Sequence, residues 1–176
     1  MASMKQSSIL QGVAQKGSVL QVVSTTLTST YSESVASGVI SSSVVTGLTA
    51  AITPVSTSSK VLVQVSTALS NSGKLGVGAF LIRRGTTPIA QATTASNRSR
   101  VSMSGGAQSN NSVDMAALSQ TFLDSPSSTS EIVYGISLHN TDSGTANVYV
   151  NRGDADVDVS RTSRPVSTIT LMEVAG

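Results

Sequence analysis

The stretch Val44–Leu69 (VVTGLTAAITPVSTSSKVLVQVSTAL) constrains this chain most. Leu48, Ala50 and Ile52 alternate with Thr49, Ala51 and Thr53. Further on, Val61, Val63, Val65 and Thr67 alternate with Leu62, Gln64, Ser66 and Ala68. Period-two apolar spacing in Val- and Thr-rich sequence marks pleated, half-buried strand, because successive side chains point to opposite faces. Pro54 has no N–H to give a central ladder, so the chain corners there. Two strands joined by a Pro/Ser/Thr corner are the predicted spine of an all-β domain. The stretch holds no residue suited to chemistry.

Around that spine, 176 residues are enough for one domain with a real core. Trp and Cys are absent and Phe80, Phe122, Tyr31, Tyr134 and Tyr149 are the only aromatics, so the core is built from small aliphatic side chains. Ser and Thr supply roughly a third of the residues, a bias also found in disordered linkers. Low charge (11%) and repeated β-branched runs favour folded sheet whose solvent faces carry hydroxyls. A net charge of +2 gives no strong field for polyanions. Without cysteine there is no disulfide framework, thiolate metal site or thiol nucleophile, and oligomerisation is the expected route to robustness. No run approaches the roughly 18 apolar residues that span a bilayer, and the N-terminus lacks the apolar core of a secretory signal. Assembly in a cytoplasm, without membrane, is the expectation.

In chain order, residues 1–16 read as a polar arm with Ile9, Leu10 and Val13 as its apolar points, a candidate anchor on a neighbouring subunit or partner. The sandwich domain occupies residues 17–176. Strands are predicted over Val19–Leu27, Leu75–Arg84, Ile89–Thr94, Asn97–Met103, Val113–Leu123, Glu131–His139, Ala146–Asn151 and Ser167–Val174, beside the spine pair. Ser29–Ser43 reads as loop plus a short strand, Asn140–Gly144 as a hairpin loop, and Ser104–Ser112 and Arg152–Arg164 as surface loops. Nine or ten short strands separated by turns predict a single antiparallel β-sandwich, jelly-roll-like.

Candidate chemistry is sparse. His139 is the only histidine, and a Ser-His-Asp arrangement would have to use it, yet no G-x-S-x-G elbow accompanies it. Asp154, Asp156 and Asp158 share one face of an extended segment and could offer carboxylates to a hard cation. The EF-type pattern fails, and Arg152 and Arg161 nearby balance the same charges in a purely solvated loop. Arg152-Gly153-Asp154 spells the cell-attachment tripeptide, a match that arises readily by chance. Arg83, Arg84, Arg98 and Arg100 form a candidate basic patch, with Arg98 and Arg100 pointing the same way. Without interleaved aromatics the patch suits neighbouring subunits better than nucleic acid. No cofactor fingerprint or paired catalytic carboxylate motif appears. The residues predict a protein that is not an enzyme and takes no cofactor.

Several segments, taken in order, point to a family. They are Gly17–Val23 (GSVLQVV), Val45–Pro54 (VTGLTAAITP), Ser56–Val65 (STSSKVLVQV), Phe80–Pro88 (FLIRRGTTP), Phe122–Ser130 (FLDSPSSTS), Val150-Asn151-Arg152 and Ser167–Gly176 (STITLMEVAG). On these the chain resembles the β-sandwich domains of tailed-phage virion proteins, marine and cyanobacterial phages above all, where they occur in tail fibres and other exposed parts. The resemblance implies a structural virion role and trimeric assembly, and brings no catalytic residues. Fibre proteins carry a long shaft before such a module, whereas residues 1–16 precede it in this sequence. That favours a capsid decoration or knob anchored through the arm over a short fibre tip. A receptor-binding tip that uses Ser104–Ser112 and Asp154–Arg164 to hold a host-surface glycan is the alternative.

Overall fold

The computed structural model describes residues 15–73, 78–105 and 112–176, all strand, turn and loop with no helix among them. Ile9, Leu10 and Val13, and with them the arm as a candidate anchor, lie outside the described residues. So do Leu75, Gly76 and most of the Ser104–Ser112 loop.

Eleven strands follow one another: β1 (Val19–Leu27), β2 (Tyr31–Val35), β3 (Thr49–Ile52), β4 (Lys60–Asn71), β5 (Gly78–Arg84) and β6 (Thr87–Pro88). Then come β7 (Met103–Gly105), β8 (Ala116–Asp124), β9 (Ile132–Asn140), β10 (Ala146–Val150) and β11 (Ser167–Val174). Register merges several of them. Val150 faces Leu69 of β4 and Thr168 faces Ser66, while the Asn151 N–H donates to Ala68 O, so β10 and β11 are one line broken by an excursion. β1 and β2 run beside that line in the same broken way, with Leu27 opposite Ser167 and Tyr31 opposite Val150. β6 and β7 share the same side of β5, interrupted after Ile89.

Eight lines of antiparallel pairing remain. The first sheet runs β1/β2, β10/β11, β4, β8, and the second β3, β9, β5, β6/β7. Numbered along the chain, the first sheet is 1-8-3-6 and the second 2-7-4-5. Consecutive lines mostly change sheet, which is the jelly-roll arrangement. The fold is an all-β, antiparallel sandwich.

Between the sheets lie Val61, Val63, Val65, Leu69, Leu118, Ile169 and Leu171 from one side and Phe80, Ile82, Tyr134, Ile136 and Leu138 from the other. Phe80 and Tyr134 are the only aromatics among the largest fully buried side chains, so close packing depends on interlocking branched aliphatics. The spine pair divides at Pro54: β3 sits in the second sheet and β4 in the first, so its corner crosses the sandwich.

Three expectations are corrected. Asn140–Gly144 is not a hairpin loop, because β9 and β10 lie in opposite sheets. The buried Asn140 amide donates to Val35 O (2.7 Å) and Gly144 O (2.8 Å) and holds the chain through that crossing. No strand forms over the predicted Ile89–Thr94: β6 ends at Pro88, and Ala90, at φ 53°, turns the chain out of the ladder. Asn97–Met103 is loop up to β7, part of an excursion with no ladder to join.

The outer face of the second sheet is closed off. Ser99 donates to Gly38 O beyond β9, and the outward-facing Ala79, Leu81, Ser137 and His139 are all buried. The first sheet is different: among the described residues its outer face lies open across β1, β11, β4 and β8, while at the β10 end Arg152 covers the outward Tyr149 and Ser70.

Candidate interaction surface

Three places gather the residues that sequence singled out, and a fourth was not foreseen. The excursion between β10 and β11 carries the carboxylates. Asp156 is held by Arg164 through a two-pronged contact (3.0 and 2.5 Å), with Arg152 at 3.7 Å. Asp154 Oδ1 accepts from the Tyr149 hydroxyl at 3.1 Å, and Asp158 is exposed. The segment is bent rather than extended, so the shared carboxylate face does not form. Among the described residues no group of three His, Asp or Glu is placed to hold a metal ion. The Arg-Gly-Asp tripeptide is folded in. Arg152 stacks on Tyr149 at 4.4 Å, and a Cβ at Gly153 would come within 2.9 Å of the Ser112 and Val113 backbone.

The four arginines do not make one patch. Arg83 points outward from the second sheet and donates to Ser137 Oγ, Thr86 O and Ser41 O. Arg84, its neighbour, points inward and pairs with Asp124 at 3.0 Å. Arg98 and Arg100 stand exposed on the excursion before β7, in loop rather than strand. They remain candidate partner contacts by exposure alone.

His139, bridged to Ile40 beside β9, is 6% exposed, and neither ring nitrogen has a hydrogen-bond partner. Burial lowers its pKa from the ordinary 6.5, although the Gly38 backbone pulls the other way. No nucleophile or acid is joined to it by a hydrogen bond. A second buried ionisable group was missed by sequence reasoning: Glu173, fully buried at core parity in β11. Gln21 Nε2 donates to its carboxylate at 2.5 Å and the Val55 N–H at 2.8 Å, which ties β1 and the Pro54 corner to β11. Burial alone would raise its pKa; the hydrogen bonds from Gln21 and the Val55 N–H, with the Ser59 hydroxyl nearby, outweigh that and hold it below the usual carboxyl range. The signal was there, since Glu173 continues the parity of Ile169 and Leu171.

Both groups have depressed folded values, so both stabilise the fold above their unfolded values and lose that contribution as pH falls. The His139 contribution goes first, below its ordinary 6.5, and that of Glu173 goes below 4.5. In denaturant titrations across pH, His139→Leu is expected to flatten the stability slope just below pH 6.5 while leaving the acid limb below pH 4.5 intact. Because His139 is the only histidine, a slope that persists in the variant would refute the assignment.

The fourth place is the open face of the first sheet, where the register aligns outward side chains in rows. Val22, Met172, Leu62 and Leu123 form an apolar row across β1, β11, β4 and β8. The next row is Ser24, Thr170, Gln64 and Thr121, and the one after it Thr26, Thr168, Ser66 and Ser119. Ala68 and Ala117 follow. Ser24 and Thr170 hydroxyls lie 2.9 Å apart, and a shallow open depression is lined by Gln64, Ser66, Ser119, Thr121, Thr168 and Thr170. No charged side chain stands in these rows; Lys60, beside Val174, marks their border. The alternation that predicted strands contained this face, but only the register reveals that the hydroxyls line up.

No family model matches the chain, and no curated protein matches it.

Proposed function

We propose that this chain is a non-enzymatic structural protein of a tailed-phage virion, displayed as an oligomer on the particle surface as a capsid decoration, with a tail-fibre or receptor-binding tip as the alternative position. The observation that carries the reading is the ordered set of segments from Gly17–Val23 to Ser167–Gly176 that resembles the β-sandwich domains of such virion proteins. Those segments are structural nodes of this fold rather than bland strand sequence. Val45–Pro54 contains β3 and the crossing corner, Phe80–Pro88 runs from within β5 through its tight turn to the end of β6, and Val150-Asn151-Arg152 is the break between β10 and β11. A jelly roll whose open rows carry hydroxyls and apolar side chains but no charge suits a display role, although fold alone does not fix function.

Mass spectrometry of purified particles is expected to find the protein in many copies. Copies in proportion to capsomers place it on the capsid, and copies that follow tail symmetry place it at a fibre. Absence from particles would refute the proposal. As a partner class, other virion proteins are expected to hold it, and a host-surface glycan enters only with the tip alternative.

A further inference from the structure

We infer that the open face of the first sheet is a self-association surface, and that its occupant is the same face of a second copy of this chain. The inference goes beyond the virion reading and does not depend on it. The outward side chains of the second sheet are buried, whereas the rows across β1, β11, β4 and β8 are bare among the described residues. Three four-residue rows and the Ala68–Ala117 pair, with lines about 4.8 Å and rows about 6.7 Å apart, give roughly 450 Å² per copy, so a stacked pair buries about 900 Å², the size of a weak, reversible interface.

Chemistry selects the partner. Hydroxyls both donate and accept, so a grid of Ser and Thr can satisfy an identical grid, which a face of carboxylates or ammonium groups cannot. No charge in the rows repels a like face, and a net +2 adds little repulsion between copies. A stacked sugar would need an aromatic platform, and none of the five aromatics stands in these rows.

Symmetry then fixes the contacts. A face that packs on its own copy does so about a twofold axis. An axis parallel to the strands sets each row on itself and exchanges lines, β1 with β8 and β11 with β4. Val22, 56% exposed, then meets the partner copy's Leu123, 45% exposed, and Met172 meets Leu62. Gln64 meets Thr170. Hydroxyl rows close on hydroxyl rows. Such a face yields dimers, or joins trimers into hexamers, and never a lone trimer.

Sedimentation equilibrium of the full chain tests this. Wild type is expected as a dimer or hexamer; a monomer or a lone trimer overturns the inference. Gln64→Lys and Thr170→Glu each bury an unpaired charge at the contact and are expected to weaken association at least about 30-fold. Both positions face solvent in the isolated sandwich, so thermal melts should stay close to wild type once extrapolated to dilute protein. Mixing the two variants puts opposite charges face to face across the axis, and hetero-association is expected to recover at least about tenfold over either alone. Unchanged assembly in the single variants, or no recovery on mixing, places the contact elsewhere.

Discussion

Replacing Asn151 with Asp is expected to destabilise the fold by about 3–5 kcal/mol, the largest effect of any conservative exchange in this chain. Asn151 is fully buried where the β10/β11 line breaks. Its amide donates to Leu27 O (2.8 Å) and Ser29 O (3.0 Å), which spans the matching break between β1 and β2, and its Oδ1 accepts from Ser167 Oγ at 2.6 Å. One side chain thus pins two adjacent strand breaks and the return of the excursion into β11. Asp keeps the shape, but sets a carboxylate against two carbonyl oxygens with no donor between them, in a site without water access. Its φ of 61° adds a second constraint that Asn tolerates and Ala does not. Asn151→Gly relieves the backbone yet loses all three side-chain bonds, so it too is expected to cost about 2–4 kcal/mol. Urea titration at neutral pH measures both. A Gly variant close to wild type would show that backbone freedom alone, and not the amide, sets the residue.

Strand positions were legible because burial in a two-layer sandwich is written in period two. The predicted Val19–Leu27 and Ser167–Val174 match β1 and β11 residue for residue. What alternation cannot carry is partnership. The turn after β9 has hairpin composition, but it bridges sheets, since inward parity is the same whether the next strand faces its neighbour or the opposite layer. Breaks within a line were equally hidden: Ala90 and Asn151 leave the ladder by positive φ, and neither is a glycine that would have announced it. The open face follows the same logic. Each strand showed outward Thr and Ser, but rows across β1, β11, β4 and β8 exist only once register is known. Predicted patches failed where they relied on sequence neighbours, as with Arg83 and Arg84, which a strand sends to opposite sides.

Those opposite sides make Arg84 part of the second large effect. Asp124→Ala is expected to cost about 3–4 kcal/mol, and Tyr134→Phe only about 1 kcal/mol. Asp124 ends β8 in the first sheet, while Arg84 and Tyr134 are cross-strand partners in the second. The carboxylate accepts from the Tyr134 hydroxyl at 2.7 Å and from Arg84 at 3.0 Å, so it is a polar tie between the layers. The three groups lose unequally when it goes. Arg84 keeps 30% of its side chain exposed and recovers water. Tyr134 is fully buried, and its hydroxyl is left without an acceptor. Burial first, and then the hydrogen bond to Asp124, raise the phenol pKa, so Tyr134 remains a neutral donor and its unmet proton is the main cost. Tyr134→Phe removes the donor and leaves Asp124 paired with Arg84, hence the small loss. In the double variant Asp124→Ala/Tyr134→Phe no buried hydroxyl is orphaned. Its total is expected to fall at least about 1 kcal/mol short of the sum of the single costs, a coupling that a double-mutant cycle in urea reads directly. Additive costs in that cycle would assign the tie to Arg84 instead and leave the Tyr134 ring as packing alone.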